Sequence, residues 1–160
     1  MLLWRDKPKG GGEHTKLWKI FLSKADRIEE LPQGEVSSET RIFPKLDLDL
    51  KPDGIVYEGG EIPEIGIIIY GGAFCFEFET DWKQAICKVA KYSLANKDNK
   101  LIIQLFFVVK KENKSIDSRK LREWLNELEK IGQFRIRWFF ISLEDEKMYE
   151  LRENGSWKLI

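Results

Sequence analysis

Apolar residues recur at helical spacing through residues 13–30, where Leu17, Ile20, Phe21, Ala25 and Ile28 fall on one face. This predicts a first helix that stops near Leu31-Pro32-Gln33-Gly34, where proline and glycine end helical propagation. The period then changes. Leu46-Asp47-Leu48-Asp49-Leu50 alternates strictly, as a half-buried strand does, and Pro52-Asp53-Gly54 interrupts it before Ile55-Val56-Tyr57. Residues 67–70 and 73–79 flank Gly71-Gly72, a pair suited to the positive φ angles of a tight hairpin turn. The middle of the chain therefore reads as an antiparallel meander.

Thr80 or Asp81 can cap a second helix, whose apolar positions Trp82, Ala85, Ile86, Val89 and Leu94 lie on one side. Residues 101–109 form an unbroken β-favouring apolar run, the composition of a central strand covered on both faces. A third helix is predicted over 118–131 from Leu121, Trp124, Leu125, Leu128 and Ile131, with Gly132 as its C-cap. Residues 135–142 are a further strand. Residues 148–151 and 156–160 flank Asn154-Gly155, a strong hairpin signal. Helices joining the later strands imply an α/β fold, a mixed β-sheet flanked by helices in the order αβββαβαβ with a C-terminal hairpin.

Length fits a single domain over residues 1–160, since a chain of this size buries about 70% of its unfolded surface. Lys plus Arg and Asp plus Glu both number 27, so the formal net charge is zero. A uniformly basic binder is excluded, although a local basic face is not. The longest near-apolar run, residues 65–78, carries glycines and falls short of the roughly 20 residues of a membrane span. Arg5, Asp6 and Lys7 follow Met1 to Trp4 at once, so no secretory leader is expected. Two cysteines cannot build a disulfide scaffold, and with one histidine they make a dedicated zinc site a poor expectation. A cytoplasmic, reducing setting is the expectation.

Candidate chemistry concentrates in Phe74-Cys75-Phe76-Glu77-Phe78-Glu79. On a strand the three phenylalanines face one way, and Cys75, Glu77 and Glu79 the other. Glu77 and Glu79 then lie about 7 Å apart on one side. Like charges so placed repel, and a hard divalent cation held by one or two carboxylates removes the conflict. Antiparallel pairing can bring Asp53 alongside Glu77, which gives two anchors for such an ion. Alternating glutamates on a surface strand and a Pro-Asp-Gly turn are each ordinary structural features. Their combination, in this order, is the more specific signal.

In that order the sequence resembles the PD-(D/E)XK nuclease superfamily, whose restriction-endonuclease-like fold serves many restriction enzymes and resolvases. The resemblance rests on Glu13 in the first helix, Pro52-Asp53, and Glu77-Phe78-Glu79, and spans roughly residues 10 to 142. It departs in one place, because Glu79 stands where the family usually has Lys. Some members take that lysine from the following helix, where Lys83, Lys88 and Lys91 are available. At about 100° per residue, Lys88 and Tyr92 share one edge of that helix, roughly 40° apart, flanking its apolar stripe. They resemble the Gln-x-x-x-Tyr motif of RecB-like members, with Lys in place of Gln.

The resemblance implies metal-assisted phosphodiester hydrolysis on DNA. Asp53 and Glu77 would hold Mg²⁺ or Mn²⁺, and Glu79 would be a further ligand or would orient the attacking water. Lys88 would stabilise charge or position the nucleophile, Glu13 would help hold metal-associated water, and Tyr92 would touch substrate. A basic rim would be needed, for which Lys7, Lys9, Arg135, Arg137, Lys110, Lys111 and Lys114 are candidates, although such residues are commonly just solvated charges. Small members of the superfamily are often dimers, so a homodimer is also an expectation. The alternative is a catalytically inactive module of the same fold that binds nucleic acid or a partner protein, to which the displaced lysine and zero net charge point. A third reading takes the acidic strand as merely exposed on a structural domain.

Overall fold

The computed structural model describes residues 1–8, 10–38, 42, 50–58, 72–112 and 116–160. In chain order the elements are β1 (Leu2–Leu3), α1 (Glu13–Lys24), β2 (Gly34–Glu35), β3 (Gly54–Tyr57), β4 (Ala73–Glu79), α2 (Trp82–Asn99), β5 (Ile102–Lys110), α3 (Ser118–Gly132), β6 (Arg135–Ile141), β7 (Met148–Leu151) and β8 (Trp157–Leu159). The fold is α/β: among the described residues, three helices lie around a mixed six-stranded sheet of order β3-β4-β5-β6-β7-β8.

Pairing in the sheet follows the connections. β3 and β4 are antiparallel, while β4, β5 and β6 run parallel and are joined through α2 and α3. Right-handed crossovers that advance in one direction put both helices on the same face. A short turn at Asn154-Gly155 leaves β7 and β8 antiparallel, with Gly155 at φ 82°. β5 lies inside the sheet and is buried along most of its length, as its apolar run requires.

Alternation along the strands divides the core in two. Ala73, Cys75, Leu105, Phe107, Ile136 and Trp138 pack under α2 and α3. Phe76, Phe78, Phe106, Val108 and Phe139 pack on the other side against Leu17, Ile20 and Phe21 of α1 and against Trp4. Each cluster buries many large side chains, at about 1.5–3 kcal/mol apiece.

Several boundaries differ from the sequence expectation. The first helix ends at Lys24 rather than at residue 30, because a 3₁₀ turn over Ala25–Arg27 follows and Ile28 is extended (φ −88°, ψ 122°). Gly132 is not the left-handed cap of the third helix. Gln133 takes that conformation, at φ 55°, and Gly132 is instead a packing residue. A Cβ there would lie 2.5 Å from the Phe134 ring and 3.0 Å from the Ser93 Cα of α2. The short parallel pair β1 and β2 was not foreseen; it seats the Trp4 indole on Phe76 with ring centroids 5.4 Å apart. The strand expected over 46–50, apart from Leu50, and those parts of the meander at 67–70 and Gly71 lie outside the described residues, as do Lys9 and Lys114.

Candidate active site

The antiparallel register that places Gly54 opposite Phe76 brings Asp53 opposite Glu77. The Asp53 carboxylate accepts a hydrogen bond from the backbone N–H of Phe78 (Oδ2, 2.7 Å), which fixes it against β4. The next residue, Gly54, leaves room for Trp4 and Val36 against the strand. A Cβ at that position would sit 2.6 Å from both the Trp4 ring and the Val36 side chain. The glycine after Asp53 thus serves close packing rather than turn geometry.

Glu77 and Glu79 share their strand face with Cys75 and point beneath α2. Only Thr80 and Asp81 separate β4 from this helix, and the Asp81 side chain caps it by accepting from the Lys83 N–H (2.8 Å). The tight connection brings the Lys88–Tyr92 edge of α2 over the acidic strand. Lys88 Nζ donates to Glu77 Oε2 (2.9 Å) and also to Glu79 Oε1. Tyr92 Oη donates to Glu77 Oε1 (3.1 Å). Glu77 is 2% exposed and Tyr92 fully buried, whereas the Lys88 side chain keeps 40% of its surface open to solvent.

Burial pushes the Glu77 carboxyl up to about 8, and the negative charge of Asp53 acts in the same direction. The Lys88 charge and the hydrogen bonds from Lys88 and Tyr92 hold it back from rising further. For Lys88, partial burial opposes the charged form, but Glu77 and Glu79 outweigh it and keep the ammonium above the ordinary lysine range. Burial, followed by the Glu77 charge, holds Tyr92 well above the usual tyrosine range, so it remains a donor. Cys75 is likewise pushed up, first by burial and then by Glu77, which makes it a poor nucleophile. Tyr57 rises to about 12 through burial and the nearby Cys75.

Among the described residues, no group of three or more His, Cys, Asp and Glu side chains lies at metal-holding spacing. Asp53 and Glu77 are neighbours, while Glu79 is joined to Glu77 through Lys88. The fit of a divalent ion to this set rests on the first pair: two carboxylates repel in a largely dry site, and Mg²⁺ is commonly anchored by one or two carboxylates with water completing its shell.

Other expected site residues fall elsewhere. Tyr92 contacts Glu77, and its complete burial removes it from any substrate-facing surface. Glu13 begins α1 on the opposite side of the sheet, where it pairs with Lys110 at 2.8 Å, and it does not join the acids. Arg135 and Arg137 lie on the α1 face of β6, not on the rim of the acid cluster, because strand alternation turns them away from α2. Arg137 is 5% exposed and clamps Glu150 through two hydrogen bonds of 2.7 and 2.9 Å while donating to the Glu29 carbonyl; Arg135 pairs with Glu30. Both line a cleft of about 340 Å³ shared with Arg122, Glu129 and Glu150, whose charges answer one another. Lys111 lies over the Tyr149 ring at 4.9 Å, and Lys7 is exposed.

Spacing along the second helix was enough to put Lys88 and Tyr92 on one edge. It did not reveal that this edge faces Glu77, nor that Trp4 packs beside the strand that begins just after Asp53. The glycine following Asp53 was the available signal for the latter.

No family model matches the chain, and no curated protein or solved structure matches it either. Among the described residues, no helix is long and apolar enough to cross a membrane.

Proposed function

We propose that this protein is a metal-dependent DNA endonuclease that hydrolyses phosphodiester bonds on a restriction-endonuclease-like core. The observation that carries the reading is Asp53 held opposite Glu77 across β3 and β4, with Lys88 reaching Glu77 and Glu79 from α2. The order of an N-terminal helix, an antiparallel strand pair and two parallel crossovers supports the same fold family.

Asp53 and Glu77 would hold Mg²⁺ or Mn²⁺. Such an ion supplies Lewis-acid polarisation of the phosphate and a more acidic water. Glu79, two residues along the same strand face, would orient the attacking water as its base. Lys88 contacts both glutamates, and its ammonium would stabilise charge developing on the phosphate. This assigns Lys88 the part that the family's strand lysine ordinarily plays, at the point where Glu79 has replaced it. DNA is the implied partner and a homodimer the implied assembly.

Plasmid, hairpin and branched DNA incubated with the protein and Mg²⁺ or Mn²⁺ test the reading. Wild type is expected to cut at least one of them, and Asp53→Ala to lose that cleavage. Absence of cutting by wild type on all three, or undiminished cutting by Asp53→Ala, would refute it.

A second reading, an inactive module of the same fold that binds nucleic acid or a partner protein, is favoured by one observation: Lys88 and Tyr92 already donate to both oxygens of Glu77. It predicts no heat on titration with Mn²⁺ and retention of DNA at low salt without cleavage.

A further inference from the structure

Among the described residues, Glu77 has one side-chain hydrogen-bond donor on each carboxylate oxygen, and the two donors differ in their freedom to leave. Tyr92 is fully buried in the core, with its ring edge-on to Phe107 at 6.4 Å. It cannot withdraw from Oε1 without disturbing the packing of α2 on β5. Lys88, by contrast, reaches Oε2 from a side chain with 40% of its surface open to solvent. It also has a second anchor in Glu79, whose side chain is 7% exposed. An ammonium on Glu77 and a divalent cation on the same carboxylate would lie within a few ångströms of each other, where like charges in a half-buried site repel strongly.

We infer that Lys88 is the resident counter-ion of the Glu77–Glu79 pair, and that its ammonium must leave Glu77 Oε2 before a divalent cation can be held there, with Tyr92 remaining in place on Oε1. This rests on the metal-binding reading above and adds the order of exchange at the site. Glu79 makes the exchange feasible. Lys88 need not pass fully into water, because it can give up one carboxylate and keep the other. After the transfer its charge stands beside the cation position rather than within it. Tyr92 is a positioning residue in this scheme, since it fixes the plane of the Glu77 carboxylate while the opposite oxygen changes partners.

Two measurements on the full chain test the inference. In wild type labelled with ¹⁵N-lysine, the Lys88 ammonium signal, assigned by its loss in Lys88→Arg, is expected to be protected without metal and to shift or broaden as Mg²⁺ saturates. Calorimetry with Mn²⁺ is expected to show Lys88→Met binding about tenfold more tightly than wild type, because a competing cation is gone, and Lys88→Arg binding close to wild type. Equal affinity of wild type and Lys88→Met would overturn the exchange while leaving the metal reading intact. No binding by either protein, both shown folded by thermal melting, would overturn the two together. If Lys88→Met does not fold, the wild-type signal decides alone, and a Lys88 ammonium unchanged at saturating Mg²⁺ overturns the inference.

Discussion

Replacing Glu77 with glutamine removes one ionisation and keeps the size and shape of the side chain, and like a protonated carboxyl it offers one carbonyl oxygen where the ionised Glu77 accepts on two, from Tyr92 and from Lys88. In the folded chain burial and Asp53 raise the Glu77 pKa to about 8, against an ordinary value of 4.5. A carboxyl whose folded pKa is raised stabilises the fold below its unfolded pKa and loses that contribution as pH rises through the folded value. For Glu77 the loss therefore runs from about pH 4.5 to about pH 8. At about 1.4 kcal/mol per unit the whole shift corresponds to ~5 kcal/mol, and relaxation around the site takes up part of it. The opposing Lys88 shift does not enter this window, because it acts only above the ordinary lysine pKa. Urea denaturation of wild type and Glu77→Gln from pH 5 to pH 9, with EDTA present, isolates the effect in their difference. The two should be about equally stable at pH 5, and Glu77→Gln should gain about 2–5 kcal/mol over wild type by pH 9. Parallel stability curves across that range would show that Glu77 ionises without a burial penalty, and the account of the site would be wrong.

Two further predictions concern the scaffold that positions the site. Asn96, fully buried near the end of α2, donates to the carbonyls of Ile102 and Gly132 and accepts from the N–H groups of Leu101 and Ile102. Asn96→Ala strands those backbone groups and should cost about 3–4 kcal/mol by urea denaturation, a loss under 1 kcal/mol being incompatible with the network. Gly132→Ala should destabilise by about 1–2 kcal/mol, because the new Cβ meets Phe134 and the Ser93 backbone, even though helix propensity alone favours alanine by up to about 1 kcal/mol. A more stable variant in the same assay would refute the packing role given to this glycine.

Much of the framework was legible because it is written in short-range periodicity. The alternation in residues 73–79 separates the phenylalanines from the acids, and the two cores observe that separation. The apolar stripe of α2 fixed which edge Lys88 and Tyr92 share, and Asn154-Gly155 announced the final hairpin. Errors arose where a residue type has two uses. Gly132 looked like a helix cap and is a contact point, while Arg135 and Arg137 looked like a basic rim and are ion-paired on the far face.

The sequence by itself determined the element order, the face on which each strand residue lies and the chemical types present at the acids and on the helix edge, since these depend on neighbours two to four positions apart. Only the tertiary structure decided that Asp53 meets Glu77, that Lys88 bridges Glu77 and Glu79, and that Tyr92 is a buried donor rather than a surface aromatic. Those contacts, with the Phe78–Asp53 hydrogen bond that fixes the first of them, join residues 9 to 25 positions apart through strand register and helix docking. The free energies that set register and docking belong to the burial of whole faces, which no local pattern contains.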